Sequence, residues 1–284
     1  MTQPEKTKTY SDLMPRLTGA AVLAVLAGGF LYWGGYAFAG FVAAGMMLMA
    51  MELLAIVRHD WTVANPGPAL CGLFCGVAVL LVPFSLWASM GAFALALLTA
   101  SVFAKRLPTA VTGSGLALIV LAGVSVVTLR LEPGGLWLVL WVILCVVAAD
   151  VGGYFFGKRF QGPKFWPAVS PKKTWSGVLG GLLLTLVVAL IYGLASDGSV
   201  AVFLTLGAVI AVVSVVGDLL ESALKRHYGV KDAGRILPGH GGLLDRFDGM
   251  TAVMIVFFPF SQSFDLQGLL EVSYAPPVLT GGSL

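Results

Sequence analysis

The sequence predicts an all-α, polytopic integral membrane protein with about nine transmembrane helices and a cytoplasmic N-terminus. Of its 284 residues, 58% are apolar and only 11% are charged, whereas soluble domains carry roughly 25% charged residues. The apolar runs are long and do not alternate, which favours helices in a membrane. The basic residues also fall on one side of the predicted membrane. This composition excludes a soluble enzyme, a disordered chain and a nucleic-acid binder.

Nine apolar stretches come close to the roughly 20 residues that a helix needs to cross about 30 Å of hydrocarbon. The predicted spans cover residues 18–35, 38–57, 68–86, 88–104, 110–129, 135–156, 176–195, 199–221 and 249–263. We divide the chain into a cytoplasmic tail (1–17), N-terminal transmembrane helices (18–135), a catalytic transmembrane region with two cytoplasmic loops (136–263) and a C-terminal tail (264–284).

The lysines and arginines orient these spans, because cytoplasmic loops carry an excess of basic residues. With nine spans, 16 of the 17 basic residues fall on the side of the N-terminal tail. Only Arg130 falls on the other side, and the tail after the last span contains no basic residue. The distribution therefore predicts a cytoplasmic N-terminus and an external C-terminus.

Charged residues concentrate between Gly217, near the end of the eighth span, and Asp248. The acids are Asp218, Glu221, Asp232, Asp245 and Asp248, and the bases are Lys225, Arg226, Lys231, Arg235 and Arg246. The basic residues alone would fit an ordinary solvated loop at the membrane surface. The acids need another explanation, because an ionised carboxylate near the membrane boundary is costly unless it is compensated.

Three of these acids are candidates for a metal site. Asp218 follows an apolar stretch near the cytoplasmic end of its helix, where the helix dipole favours a cation. Asp245 and Asp248 precede the last span at a spacing of i, i+3, which places them on one helix face. Three carboxylates at one depth suit a hard cation, so the sequence predicts Mg²⁺ bound by Asp218, Asp245 and Asp248.

An anion site is predicted where the seventh span begins. The sequence SPKKTWSG places Lys172 and Lys173 just before a helix N-terminus, with Ser170 and Thr174 as hydroxyl donors or caps. Free backbone amides and adjacent lysines bind anions such as phosphate. Asp150, inside the sixth span, is expected to face the bundle interior and to have a partner, so we assign it to the same site.

A glycine-rich turn, His240, Gly241 and Gly242, precedes the last span. Glycines let the backbone approach a phosphate closely, and we expect His240 to position a ligand rather than to transfer a proton. Together with the acids and the anion site, this turn equips the cytoplasmic face for phosphoryl or nucleotidyl transfer. One substrate is expected to be a lipid, because the site lies at the membrane boundary. The residues alone leave the nucleotide open.

The segment from Ser222 to Asp248 resembles the signature of the phosphatidate cytidylyltransferase (CDP-diglyceride synthase) family. The residues that carry the resemblance are Ser222, Lys225, Arg226, Lys231, Asp232, Gly234, Pro238, His240, Gly241, Gly242, Asp245, Arg246 and Asp248. The SPKKTWSG segment and the region of Asp150 are also similar to that family. The resemblance therefore covers residues 140–250, and before them only the pattern of spans is comparable.

The resemblance implies a nucleotidyltransferase of the bacterial inner membrane that converts CTP and phosphatidic acid into CDP-diacylglycerol and pyrophosphate. It implies Mg²⁺, with K⁺ as a second cation. The catalytic set carried over is Asp218, Lys225, Arg226, Asp245, Arg246 and Asp248. The substrate-binding set is Asp150, Ser170, Lys172, Lys173, Thr174, Ser222, Lys231, His240, Gly241 and Gly242. Gly-rich spans can pack closely, which is compatible with a homodimer.

Two other functions fit part of the sequence. A CTP-dependent lipid kinase, similar to dolichol kinase, would share the carboxylates, the metal and CTP, but it would transfer the γ-phosphoryl group. An ion or solute transporter could use Asp150 and Asp218 along a pathway. A transporter would need polar residues near the midplane of several spans, and the first five spans offer almost none.

Overall fold

The computed structural model describes residues 13–58, 66–103, 109–196, 198–234 and 241–263, which form nine α-helices and one two-stranded sheet. The helices are α1 (Leu13–Trp33), α2 (Gly35–Arg58), α3 (Pro66–Leu80), α4 (Leu86–Phe103), α5 (Thr109–Leu131), α6 (Gly135–Phe160), α7 (Trp175–Ala195), α8 (Val200–His227) and α9 (Leu244–Ser263). The strands β1 (Lys164–Trp166) and β2 (Ser170–Thr174) form a hairpin between α6 and α7. The predicted all-α membrane architecture is confirmed, and the hairpin is an addition that was not predicted.

The helices are apolar enough to identify an integral membrane protein. Among the described residues, six helices are long and apolar enough to cross a membrane, namely α2, α4, α5, α6, α7 and α8. The apolar segments Ala21–Trp33 and Pro66–Leu80 are shorter. The total of nine spans and the orientation of the N-terminus stay predictions.

Most helices coincide with predicted spans, and the differences have local causes. α3 ends at Leu80 rather than at 86, because residues 81–84 form a turn around Pro83, which cannot continue a helix. α8 continues past its predicted end at 221 to His227, so the charged residues after that position remain helical. α9 begins at Leu244 rather than at 249, because a distant side chain caps its first turn, as shown below.

Helices that are neighbours in the sequence are mostly neighbours in space. α2, α3 and α4 pack in succession, and so do α6, α7, α8 and α9. α5 contacts both α2 and α9 and thereby joins the two groups. Between α6 and α8, the fully buried Trp141 packs edge-on against Phe203, with 5.2 Å between the ring centroids. The group formed by α6 to α9 therefore has its own aromatic core, and this core supports the charged ends of the four helices.

Candidate active site

Glycines allow α6 and α7 to pack backbone against backbone. A Cβ atom at Gly152 would lie 2.5 Å from the carbonyl oxygen of Gly180, and one at Gly181 would lie 2.6 Å from that of Ala149. Larger residues would force the helices apart, which is why small residues mark close helix contacts in membranes. The contact places Asp150 of α6 beside the first half of α7.

The first turn of α7 is fixed by capping and by the hairpin. The hydroxyl of Thr174 accepts a hydrogen bond from the amide of Gly177 at 3.2 Å. The hydroxyl of Ser176 donates to the carbonyl oxygen of Gln161, just after α6. β1 pairs antiparallel with β2, so Ser170–Thr174 lies on a strand that leads directly into the helix, and not in the predicted loop. Sequence reasoning found the cap but not the pairing.

A cavity of about 600 Å³ lies at this helix start, between α6, the hairpin, α7 and α8. Six of the predicted site residues line it, namely Asp150, Ser170, Lys172, Lys173, Thr174 and Asp218. Its lysines and the partial positive charge of the α7 N-terminus suit an anion. The structure thus brings the predicted anion site and two of the predicted acids into one cavity, which we call the polar cavity.

Asp218 is held in the polar cavity by a lysine and a serine. Its Oδ2 atom lies 2.6 Å from Nζ of Lys173, and its Oδ1 atom accepts a hydrogen bond from Ser222 at 3.3 Å. The Lys173 side chain is 17% exposed and also donates to the carbonyl oxygen of Val215 at 3.4 Å. The ion pair is partly shielded from water, so its attraction exceeds that of a surface pair. It ties β2 to α8.

α8 and α9 cross closely enough for acids on the two helices to act on each other electrostatically. A Cβ atom at Gly217 would lie 2.7 Å from the carbonyl oxygen of Asp248, so the two backbones touch at this level. The negative charges of Asp218 and Asp150 both act on Asp248. Repulsion of this kind between acids is relieved when a cation binds beside them. We call Asp150, Asp218 and Asp248 the acidic cluster.

Asp245 has a different environment from the acidic cluster. Its Oδ1 atom accepts hydrogen bonds from Lys225 at 2.7 Å and from the amide of Ala233 at 3.1 Å. Its Oδ2 atom accepts from the amides of Ala233 at 2.9 Å and Gly242 at 2.8 Å. Three donors therefore contact the carboxylate, because the single amide of Ala233 is shared between its two oxygens, and they use most of its roughly four lone-pair positions. Burial opposes ionisation, but Lys225 and the amides outweigh it and hold the pKa of Asp245 below its usual value.

A buried acid on α2 caps α9, and it was not singled out from the sequence. Glu52 is 0% exposed, and its two carboxylate oxygens accept hydrogen bonds from the amides of Leu243 at 2.9 Å and Leu244 at 2.7 Å. A Cβ atom at Gly234 or Gly242 would collide with this carboxylate. The cap satisfies amides that a helix start leaves free, which explains the early start of α9. Glu52 could have been noticed in the sequence, because an acid within an apolar span is unusual.

Other predicted cations lie outside the lining of the polar cavity. Arg226 and Lys231 are exposed to solvent. Lys225 is half-buried and contacts two acids, with Nζ 2.5 Å from Glu221 and 2.7 Å from Asp245. Arg246 is also exposed, and its positive charge acts on Asp150. Of these four residues, Lys225 is paired with Asp245 on α9, and Arg246 interacts electrostatically with Asp150 of the polar cavity.

The glycine-rich turn is described in part. Gly241 has a φ of 83°, a left-handed conformation that glycine adopts without strain, and it lies close to the carboxylate of Asp245. Gly242 follows and donates its amide to the same carboxylate. The turn therefore contacts Asp245 through its backbone, as a glycine-rich segment allows. His240 lies outside the described residues, so its positioning role stays a prediction.

The polar cavity contains further residues that were not among the predicted site residues. Lys158 and Gln161 come from the end of α6, Lys164 from β1 and Ser214 from α8. Nζ of Lys158 lies 3.4 Å from the hydroxyl of Tyr154, one turn earlier. Little in the sequence assigned these residues to the site, because the sixth span was predicted to end at 156 and the hairpin was not predicted. Folding of the α6–α7 connection places them at the site.

The acids fit a divalent cation in combination with a ligand. In the part of the chain that the structure describes, no three His, Cys, Asp or Glu side chains are grouped closely enough to hold a metal ion by themselves. Nucleotide sites commonly hold Mg²⁺ through one or two carboxylates and the substrate phosphates. Asp218 and Asp248 match that donor set, whereas the oxygens of Asp245 are already occupied. The assignment of Mg²⁺ to these three acids stays a prediction.

The chain is similar to a group of known enzymes. A family model described as "Cytidylyltransferase family" matches residues 14–264. A phosphatidate cytidylyltransferase of Haemophilus influenzae is 44% identical over 154 residues, which are 50% of this chain and 53% of that protein. Proteins of the same name from Staphylococcus saprophyticus and Staphylococcus aureus are 45% identical over 122 residues, which are 42% of this chain and 47% of each of them. The chain spans about half the length of the curated relatives that it matches.

Proposed function

Because the chain belongs to the cytidylyltransferase family, we propose that it transfers the cytidylyl group of CTP to phosphatidic acid in phospholipid biosynthesis. The products are CDP-diacylglycerol and pyrophosphate. The observation that carries the proposal is the polar cavity, in which the N-terminus of α7, Lys173 and Asp218 converge. It combines positive charge for a triphosphate with carboxylates for a divalent cation, at the end of membrane helices that have access to lipid.

We assign the triphosphate of CTP to the polar cavity. The dipole of α7 and the side chains of Lys158, Lys164 and Lys172 supply positive charge around the space. Lysine acts as a mobile point charge, which suits phosphates whose geometry changes during transfer. We assign the phosphate of the lipid to Arg226 and Arg246, which are exposed and whose guanidinium groups can bind a phosphate in a bidentate manner.

The transfer needs positioning and charge neutralisation rather than a strong base. A phosphate oxygen of phosphatidic acid, which is already anionic, attacks the α-phosphorus of CTP in line. The bond from that phosphorus to the oxygen bridging to the β-phosphate breaks, and pyrophosphate leaves with the electron pair. Lys173 keeps Asp218 oriented in the cavity, and Lys225 fixes Asp245 at the start of α9. No side chain has to remove a proton.

Cations complete this proposed site. Asp218 and Asp248, together with the substrate phosphates, would hold Mg²⁺, which supplies neutralisation of the charge that develops on the leaving pyrophosphate. Asp245 would join them as a third ligand by giving up one of its four hydrogen bonds. K⁺ as a second cation stays a prediction from the family resemblance.

We place the reaction at the cytoplasmic face of a bacterial inner membrane. The support is the charge distribution of the sequence, because nine predicted spans would put 16 of the 17 basic residues on the side of the polar cavity. CTP would then reach the cavity from the cytoplasm, and phosphatidic acid would reach it from the inner leaflet. A homodimer stays a prediction.

The position of a radioactive label tests the proposed reaction. Purified protein in detergent is given phosphatidic acid and CTP carrying ³²P in either the α- or the γ-phosphate, with excess Mg²⁺ or with EDTA. We expect the α-label in a lipid product and the γ-label in pyrophosphate, because the bond beyond the α-phosphorus breaks. EDTA is expected to abolish both.

The same assay distinguishes cytidylyl transfer from the competing lipid kinase reaction, and it includes a control for hydrolysis of CTP. A γ-label in the lipid would identify a kinase and would contradict cytidylyl transfer. Reactions without phosphatidic acid control for hydrolysis of CTP, which would release pyrophosphate without a labelled lipid. Full activity in EDTA after removal of residual metal would contradict the magnesium assignment while leaving the reaction itself intact.

The position of the triphosphate predicts different effects for two adjacent basic residues. Lys158 lines the polar cavity, whereas Arg159 stacks on Phe160 at 5.7 Å and lies outside the described lining. Removing one exposed charge near a phosphate is expected to raise the KM for CTP about threefold to fivefold in the Lys158→Met variant, with kcat nearly unchanged. The measurement is steady-state kinetics at saturating phosphatidic acid.

Arg159→Met is the matched control, because it removes the same charge from the same helix end. We expect its KM for CTP to equal that of the wild type. Equal increases in both variants would show that the protein attracts CTP through its general positive field. That result would contradict a specific contact between the triphosphate and Lys158.

A further inference from the structure

A second cavity, of about 480 Å³, lies between α2, α5, α8 and α9, and we call it the apolar groove. Its walls are almost entirely aliphatic, and Leu118, Val216 and Leu220 on these walls are 46%, 45% and 63% exposed. Two carboxylates, Glu221 and Asp248, lie among its lining residues. A space of this size is typical of a site for a small ligand.

The apolar groove runs from a charged end into the apolar part of the helices. On α9 its lining begins with Leu244 and Asp248 and reaches Val256, so the part beyond Asp248 extends about 12 Å at 1.5 Å per residue. On α8, which runs in the opposite direction, the lining residues descend from Glu221 to Val213. The shape and polarity therefore fit an elongated ligand with a charged head and an apolar tail.

The charged end of the apolar groove adjoins the acidic cluster, because Asp248 belongs to both. α8 separates the two cavities, with Asp218 on the side of the polar cavity and Gly217 on the side of the apolar groove. Asp248 lines the apolar groove, and the negative charge of Asp218 and the positive charge of Lys225 both act on it. These carboxylates alone would repel a phosphate, so a phosphate would lie at this end of the groove together with the cation that we propose for Asp218 and Asp248.

We propose that the apolar groove holds an acyl chain of the phosphatidic acid substrate, with the lipid phosphate at the Asp248 end, an inference that rests on the proposed function. The bilayer around these helices supplies lipids with two chains at high concentration. A helix from a second copy would bury Asp248, which is still partly exposed, under apolar surface, which is costly for a charged group. An acyl chain fills the aliphatic part of the groove, and the cation proposed for Asp218 and Asp248 would bind the lipid phosphate at its end.

A wedge in the deep part of the groove tests this assignment through the length of the acyl chain. Leu118→Trp fills space on α5, whereas Leu121→Trp changes a residue of the same helix that is 44% exposed and lies outside the described lining. Each methylene displaced from an apolar site costs roughly fourfold in affinity. We expect Leu118→Trp to lower kcat/KM for dipalmitoyl phosphatidic acid about tenfold or more, and for dihexanoyl phosphatidic acid less than twofold.

The control variant and the short lipid make each outcome informative. Leu121→Trp is expected to match the wild type with both lipids, and retained activity on the short lipid shows that Leu118→Trp folds. If Leu118→Trp is inactive on both lipids, Ile255→Phe on the opposite wall takes its place. Equal losses on both lipids in that variant, or no loss on either, would overturn the assignment.

Two further outcomes separate the alternatives. If the wild type forms no CDP-lipid at all, the proposed function fails first, and the groove has no phosphatidic acid to hold. If the wild type is active but Leu118→Trp changes only the oligomeric state, measured by light scattering in detergent, a second copy covers the groove. That result would overturn the acyl-chain assignment and leave the proposed reaction standing.

Discussion

Replacing Asp218 by asparagine is expected to lower kcat about 100-fold or more, in the range found for removal of one group that stabilises transition-state charge. The change removes the carboxylate that joins Lys173 to the acidic cluster while keeping the shape of the side chain. We also expect the Mg²⁺ concentration for half-maximal activity to rise, because one ligand of the ion is lost. Activity measured as a function of Mg²⁺ at saturating CTP checks both effects.

Glu132→Gln is the matched control for Asp218→Asn. It also removes one carboxylate, but from the connection between α5 and α6, away from both cavities. We expect its kcat and its Mg²⁺ dependence to equal those of the wild type. An Asp218→Asn variant with at least half of the wild-type activity at every Mg²⁺ concentration would contradict a role of Asp218 in the reaction.

Replacing Glu52 by alanine is expected to destabilise the protein by about 2–6 kcal/mol, because two buried amides lose their acceptors at about 1–3 kcal/mol each. For a chain of this size, the melting temperature in detergent is expected to fall by roughly 5 to 20 °C. Activity is also expected to fall, since the amides of Leu243 and Leu244 set the start of the helix that carries Asp245 and Asp248.

A graded series identifies the cause of the Glu52 effect. Glu52→Gln keeps one carbonyl acceptor and is expected to melt between the wild type and Glu52→Ala. A melting temperature of Glu52→Ala within about 1 °C of the wild type would contradict the capping role.

Much of the fold could be predicted because membrane helices are fixed by local composition. Long apolar runs have to be helical in lipid, so their positions can be found without knowledge of the packing. The end of α3 at Leu80 and the hairpin Lys164–Trp166 with Ser170–Thr174 were missed for different reasons. Pro83 was a visible local signal, whereas strand pairing between short polar segments depends on the surrounding helices.

The site could be predicted in part because its charges are rare in this chain. Asp150 and Asp218 were identified as acids in apolar spans, and Lys173 was identified as a lysine at a helix start. The structure places all three in the polar cavity. The separate environment of Asp245 could not be predicted, because its four hydrogen bonds come from backbone amides and Lys225 brought together by folding. The contact from Glu52 to α9 spans most of the sequence and depends on the packing of α2 near α9.

The binding of Mn²⁺, a paramagnetic substitute for Mg²⁺, tests most directly whether the acidic cluster holds the metal of the nucleotide site. Purified wild type and Asp218→Asn are titrated with Mn²⁺ in the presence of a non-hydrolysable CTP analogue, and free Mn²⁺ is measured by electron paramagnetic resonance. We expect saturable binding to the wild type and a loss of affinity of at least tenfold in the variant, with Glu132→Gln unchanged. Equal Mn²⁺ affinity in all three proteins would contradict a metal site at Asp218.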